Sequence, residues 1–203
     1  MGCDIHLYIE YKSKNNNEDI RNNWRSFGQK INPGRNYALF ALMANVRNYD
    51  CILPVPQVRG FPEDAAYYSS NDNRIYITDT PGEDCVTMEL AEQWVESGSS
   101  EFINNQRGEP TWVTHPDWHS HSWLTTGEFE TVLNKYLELE VGWHKDRVDE
   151  HNEFIKKHDI KPDSRAYRQP EMNIEPEYQF VLASMKRFEK LGYDARIVFW
   201  FDN

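Results

Sequence analysis

Apolar and polar positions alternate from the third residue of the chain. Cys3, Ile5, Leu7, Ile9 and Tyr11 fall on one side of an extended backbone, and Asp4, His6, Tyr8 and Glu10 on the other. A period of two predicts a half-buried strand over residues 3–11. The polar, Asn-rich stretch 13–23 predicts a loop, and residues 24–27 a hairpin-like return strand. Over 35–47 the period changes. Leu39, Leu42, Met43 and Val46 recur at three- and four-residue spacing after a Pro33-Gly34 turn, which predicts a helix.

The middle of the chain is more broken. Prolines keep 53–56 extended, 59–64 reads as a loop, and 75–78 as a short strand. Thr87 caps an expected helix to about Ser97, with Leu90, Trp94 and Val95 on its buried face. Residues 99–118, holding Gly108, Pro110 and Pro116, read as loop. Thr125 with Glu128 three residues later forms a capping box for a helix through Leu139, striped by Val132, Leu133 and Tyr136. The charged stretch 143–158 extends it as a solvated helix. Three prolines mark 159–176 as loop, a further helix covers 177–191, and Gly192 ends it.

The chain closes on Arg196-Ile197-Val198-Phe199-Trp200-Phe201, apolar on both faces and so a central strand. Burial makes it the neighbour of the first strand: residues 3–11 and 195–201 are expected side by side at the middle of one sheet. The predicted architecture is mixed α+β: one central mixed sheet flanked by about four helices, in one domain over residues 1–203.

Composition narrows the function. A chain of 203 residues builds a core that buries roughly 70% of its unfolded surface without disulfide or metal. The net charge of −11 and the lack of a dense Lys/Arg run argue against general nucleic-acid binding. Cys3, Cys51 and Cys85 are odd in number and far apart, which fits a reducing, cytoplasmic setting. No apolar run approaches the roughly 20 residues of a membrane span. The polar N-terminus is unlike a signal peptide, and His6 stands where a myristoylation signal needs Ser or Thr.

Two pairs of residues carry the candidate chemistry. Asp4 and His6 are two apart on a strand and emerge on one face; His119 and His121, if extended, do the same. Together they form an expected ligand set for Zn²⁺, Mn²⁺ or Fe²⁺. Tyr8 and Glu10 share the first strand's polar face, Glu10 being the candidate base. Arg59 and Asp64, around Gly60 and Pro62, suit the grip of an anion or a ribose, and Trp118 or Trp123 suits stacking on a base. Asp202 and Asn203 follow the last strand, at the end where open α/β sheets place their sites. The plainer reading is structural: Asp4 satisfying backbone donors, His6 hydrogen-bonded in the core, His119 and His121 bracketing a turn. No phosphate loop and no Gly-x-Gly-x-x-Gly motif is present.

Several stretches resemble a family of bacteriophage and bacterial proteins. The shared segments are Met-Gly-Cys-Asp-Ile-His at 1–6, Arg-x-Tyr-x-Leu-Phe-Ala at 35–41, Arg-Gly-x-Pro-x-Asp at 59–64, His-Ser-His-Ser-Trp-Leu at 119–124 and Val-Phe-Trp-Phe-Asp-Asn at 198–203. They span the chain, and Val58 stands where the usual member has Pro. The resemblance implies a phage or prophage setting, hence a host cytoplasm, and no particular activity. The Asp-x-His and His-x-His pairs also resemble the first and last motifs of calcineurin-like metallophosphoesterases, whose Gly-Asp-x-x-Asp and Gly-Asn-His-Glu motifs this sequence lacks.

The leading functional expectation is a metal-dependent hydrolase of a phosphoester or nucleotide. Asp4, His6, His119 and His121 are its ligands, Glu10 its base, and Arg59, Asp64 and Trp123 its substrate contacts. The second is a phage protein that binds without turnover, taking a host signalling nucleotide or a host defence protein. An acidic decoy of nucleic acid is the third.

Overall fold

The long alternation and the closing apolar run become the two longest strands of the protein, and they lie against each other. The computed structural model describes residues 2–14, 23–80, 82, 85–105, 107–173 and 175–203. In chain order its elements begin with β1 (Asp4–Ser13), β2 (Arg25–Ser26), α1 (Tyr37–Ala44), α2 (Tyr67–Asp72), β3 (Ile75–Ile77), β4 (Cys85–Val86) and α3 (Met88–Glu96). They continue with β5 (Phe102–Asn104), β6 (Pro110–Val113), β7 (His119–Thr125), α4 (Thr126–His158), α5 (Pro176–Lys190) and β8 (Tyr193–Asp202). Most of the expected loop 13–23 falls outside the described residues.

β1 and β8 pair antiparallel from Asp4 opposite Asp202 to Ser13 opposite Tyr193. β2 flanks β1 and β7 flanks β8, giving the order β2-β1-β8-β7 with the first and last strands at the centre, as the burial argument required. One face carries Ile5, Leu7, Ile9, Leu124, Ile197, Phe199 and Phe201, packed with α1, α5 and the first half of α4 around a single core. Burying an aliphatic or aromatic side chain of this kind stabilises the fold by about 1.5–3 kcal/mol.

Local chemistry sets the helix limits. Asn36 caps α1 by accepting from the Leu39 N–H (3.0 Å). Its amide also donates to the Tyr136 hydroxyl and to Glu175, both at 2.8 Å, which ties the start of α1 to α4 and to the start of α5. Asn45 (φ 59°) and Arg47 (φ 49°) turn left-handed, so α1 ends earlier than the 35–47 expected. The Thr125–Glu128 capping box forms, and the helix it opens runs unbroken to His158.

The mixed α+β class is as expected, with five α-helices among the described residues, but in place of one central mixed sheet there are two four-stranded sheets. The central sheet is wholly antiparallel; the mixed one is the second, of order β4-β3-β6-β5, where β3 and β4 run parallel. Residues 99–118, read as loop, supply its β5 and β6. Strands of three and four residues, one beginning at Pro110, carry too little alternation to stand out. This sheet packs with α3 around Val86, Ala91 and Val113. Trp94 and Val95 join that cluster as expected, whereas Leu90 is exposed.

Candidate functional site

The remaining face of the central sheet is aromatic and polar. Because opposed residues share a face, the alternation of β1 selects its own partners on β8: Glu10 meets Arg196, Tyr8 meets Val198, His6 meets Trp200 and Asp4 meets Asp202. Trp200 is fully buried. The His6 ring stacks against it from β1 (5.3 Å, 8°) and the His121 ring from β7 (5.9 Å, 20°). An imidazole, an indole and an imidazole thus lie face to face across three neighbouring strands, spaced close to the 4.7–4.9 Å between strands.

A bulge in β7 separates His119 from His121. His119 pairs with Phe201 and Ser122 with Phe199, so three steps along β7 match two along β8. The extra residue sits beside Ser120, whose φ of 53° is left-handed. An unbulged strand would show both histidines on one side. Instead His119 stacks near Phe201 on the core side (6.1 Å), while His121 faces Trp200. His121 Nε2 bonds Asn73 Oδ1 at 2.7 Å, and burial, with His119 and His6 nearby, pushes its pKa down to about 4.

His6 has the most chemically capable surroundings. Its Nε2 donates to Asp202 Oδ2 (3.0 Å), and Asp202 Oδ1 accepts the Asp4 backbone N–H (3.0 Å), which fixes the carboxylate. Lys30 Nζ donates to His6 Nδ1 at 3.3 Å, which leaves that nitrogen as the basic one. Burial lowers the His6 pKa below the ordinary imidazole value, Lys30 adds to this, and Asp202 opposes it. Near neutral pH the ring is therefore an uncharged base held by a carboxylate.

The other sequence candidates are engaged separately. Asp4 pairs both its oxygens with Arg35 (2.5 and 2.8 Å), whose guanidinium lies over Gly2, and this holds its carboxyl below the usual range. Glu10 is fully buried and structural rather than a base within reach of substrate. Its Oε1 accepts from the Ala66 N–H (2.8 Å) and from the Ser69 hydroxyl, and its Oε2 takes Arg196 at 2.8 Å. Arg196 spans from Glu10 to Asp64 Oδ1 (2.8 Å) and lies over Trp24 (4.0 Å). Arg59 forms a two-pronged pair with Glu128 and covers Trp123 (4.5 Å). The expected anion clamp Arg59–Asp64 is thus two separate ion pairs. Among the described residues, no three His, Cys, Asp or Glu side chains are grouped to hold a metal ion, and Asp4, His6, His119 and His121 do not converge.

A cleft of about 570 Å³ opens where the second sheet covers His6. Tyr76, Trp112, His115 and Trp118 give it aromatic walls. Lys30 and Arg74 are its cations and Asp72 its carboxylate. Asp72 accepts the Tyr8 hydroxyl, and burial, with the Asp72 charge beside it, pushes the phenol pKa up. Arg74 lies over Trp112 (4.2 Å) and bonds Asn71 (3.3 Å). Among the described residues neither Lys30 nor Arg74 pairs with a carboxylate. Two unpaired cations in one cleft stand out in a chain of net charge −11.

Lys30, Arg74, Tyr76, Trp112 and His115 went unseen in the sequence because no fixed spacing links them: a bridge from Ile31 to Leu7 brings Lys30 beside β1, and the cover of one sheet by the other brings the rest. Trp200 was visible, but only as core. Once β1 and β8 are paired, its position opposite His6 follows from the register. No protein-family model, no curated protein sequence and no solved structure matches the chain.

Proposed function

We propose that this protein binds a small planar anion of the nucleotide class in the cleft between its two sheets, and hydrolyses a phosphoester of it with His6 as proton acceptor. One observation carries the reading: the basic Nδ1 of a carboxylate-held histidine meets Lys30 in an aromatic cleft that also holds Arg74. Aromatic planes suit a base, and the unpaired ammonium and guanidinium suit phosphate oxygens.

A phosphate drawing Lys30 to itself would free Nδ1 for a water molecule. His6 then takes a proton from that water as its oxygen bonds phosphorus. The bond from phosphorus to the leaving oxygen breaks, that oxygen takes a proton from solvent, and the His6 imidazolium then returns its proton to solvent. Asp202 stabilises the imidazolium in between. Lys30 and Arg74 neutralise charge gathering on the phosphoryl oxygens.

The test incubates the full chain with a panel of nucleotides and resolves products by chromatography, with chelator and with added Mg²⁺, Mn²⁺ or Zn²⁺. A hydrolysed nucleotide whose turnover falls by about 10²–10⁴ in His6→Asn is expected. Nucleotide bound but recovered intact would make the protein a binder without turnover. No binding to any nucleotide would overturn the reading. Activity only with added cation would restore the metal-assisted route to consideration.

A further inference from the structure

A second cleft of about 370 Å³ lies on the other side of Trp118, which lines both. The turn after α2 separates them as well: Asp72 and Arg74 line the first cleft, and Asn73 between them lines the second. Both volumes fall in or near the range of about 300–1,000 Å³ typical of small-molecule pockets.

The two clefts differ in chemistry. Among the described residues, the second is lined by no lysine or arginine, and Glu101 is the charged side chain in its lining. A phosphate would gain nothing there. Asn73, Ser99, Ser100, Thr114 and Ser120 offer amide and hydroxyl groups instead. Phe61 adds an apolar plane, set edge-on to Trp200 (5.9 Å). His121 also lines this cleft; with its Nε2 committed to Asn73, its Nδ1 is a neutral acceptor.

Two details mark this as more than a surface hollow. Ser100 is only 7% exposed, yet among the described residues its hydroxyl has no hydrogen-bond partner. A buried hydroxyl left unpaired is destabilising, and a ligand that shifts this wall of the cleft would pair it. Gly60 and Gly98 adopt positive φ (79° and 73°), where a side chain is strained, and a Cβ on either would meet nothing within 4 Å. The lining is thus kept bare at two points by the backbone itself.

We infer that the ligand has two parts joined through phosphate: a nucleotide in the first cleft, and an uncharged, hydroxyl-bearing unit, a sugar or nucleoside, in the second. This rests on the nucleotide reading of the first cleft and adds the class of substrate. Trp118 stands where the two units meet, with Arg74 on the phosphate side and Asn73 and Ser100 on the hydroxyl side.

Titration calorimetry on the full chain provides the test, using each nucleoside 5′-monophosphate against dinucleoside phosphates and nucleotide sugars of the same base. A two-part ligand is expected to bind at least about tenfold more tightly than its mononucleotide, where tenfold is about 1.4 kcal/mol. Ser99→Phe fills the second cleft, and Ser100→Ala removes the unpaired hydroxyl with little threat to folding. Both should erase most of that advantage and leave mononucleotide binding unchanged. Equal affinity for one-part and two-part ligands, or variants that weaken both alike, would overturn the inference and spare the first cleft's reading. Failure of every nucleotide to bind would overturn both.

Discussion

His6 donates to Asp202 across 3.0 Å although the two residues come from opposite ends of the chain. Its direct neighbour in the β1–β8 register is Trp200, so the bond runs diagonally past the stacked indole. The carboxylate is held from behind by the Asp4 N–H. This pair fixes the His6 tautomer and leaves Nδ1, which meets Lys30, as its basic nitrogen.

The sign of its titration can be checked without knowing the substrate. Asp202 raises the His6 pKa and Lys30 lowers it. Asp202→Asn is expected to lower the pKa further, and Lys30→Met to raise it, both read from the imidazole resonances in an NMR titration. A His6 pKa unmoved by either change would dissolve the pairing on which the mechanism rests.

The Glu10–Arg196 pair is predicted to serve stability. Both side chains are at most 4% exposed, and each remaining hydrogen-bonding group of Glu10 is occupied. Arg196→Met leaves the buried Glu10 carboxylate without its cation and should cost about 3–5 kcal/mol in urea denaturation, while Glu10→Ala leaves Arg196 its Asp64 partner and should cost less. The double change Glu10→Leu with Arg196→Met should recover most of that loss. If the single variants unfold like the wild type, the buried pair contributes nothing.

How far the sequence could be read depends on how local each cause is. The β1 alternation, the capping box at Thr125 and the apolar run of β8 are written in neighbouring residues, and all three appear where expected. The central pairing of β1 and β8 followed from burial alone. The bulge beside Ser120 did not: one extra residue in a seven-residue strand leaves the pattern of hydrophobic positions almost unchanged while moving His119 to the other face. The cleft was hidden for a different reason. Arg74 and Trp112 meet His6 only through packing of the second sheet, whose short strands give little periodicity, and Lys30 is brought there by the single bridge of Ile31 to Leu7. His6 and Trp118, both named from the sequence, do line the cleft, and Asp202, read as a residue at the end of the last strand, holds His6.

Acid should weaken the fold through His121 before it reaches the carboxylates. Burial holds the folded pKa near 4, below the ordinary 6.5, so the folded protein favours neutral imidazole. The unfolded chain then binds the extra proton, and stability present above about pH 6.5 is lost as pH falls toward 4. Asp4, Asp64 and Glu128 have lowered pKa values, and their contribution is lost only as pH falls below their ordinary values of 3.8 and 4.5. The window from 6.5 to 4.5 therefore isolates the imidazoles. His121→Gln, which keeps a donor for Asn73 but does not titrate, should flatten that part of a plot of urea midpoint against pH. An unchanged slope would place the acid sensitivity elsewhere.

Arg59 and Arg74 should separate stability from binding. Arg59 is satisfied: its guanidinium grips Glu128, covers Trp123 at 4.5 Å and lies beside the Trp123 carbonyl at 3.4 Å, while its backbone N–H donates to Ser122 Oγ at 3.2 Å. These contacts staple the 59–64 loop to β7 and to the first turn of α4, where Glu128 also closes the capping box. Arg59→Ala is expected to cost about 1–2 kcal/mol of stability, in keeping with a charge-assisted pair and a ring contact, and to leave nucleotide affinity unchanged. Arg74 has the opposite balance. Among the described residues it rests on Trp112, bonds Asn71 and forms no ion pair, although Asp72 lines the same cleft. Arg74→Ala should leave the urea midpoint nearly unchanged and weaken phosphate-bearing ligands by about tenfold or more, while a nucleoside lacking phosphate loses little. Calorimetry on the two variants side by side decides the matter: if Arg59→Ala abolishes binding and Arg74→Ala does not, the anion site lies at the 59–64 loop and the cleft beside His6 is not where phosphate sits.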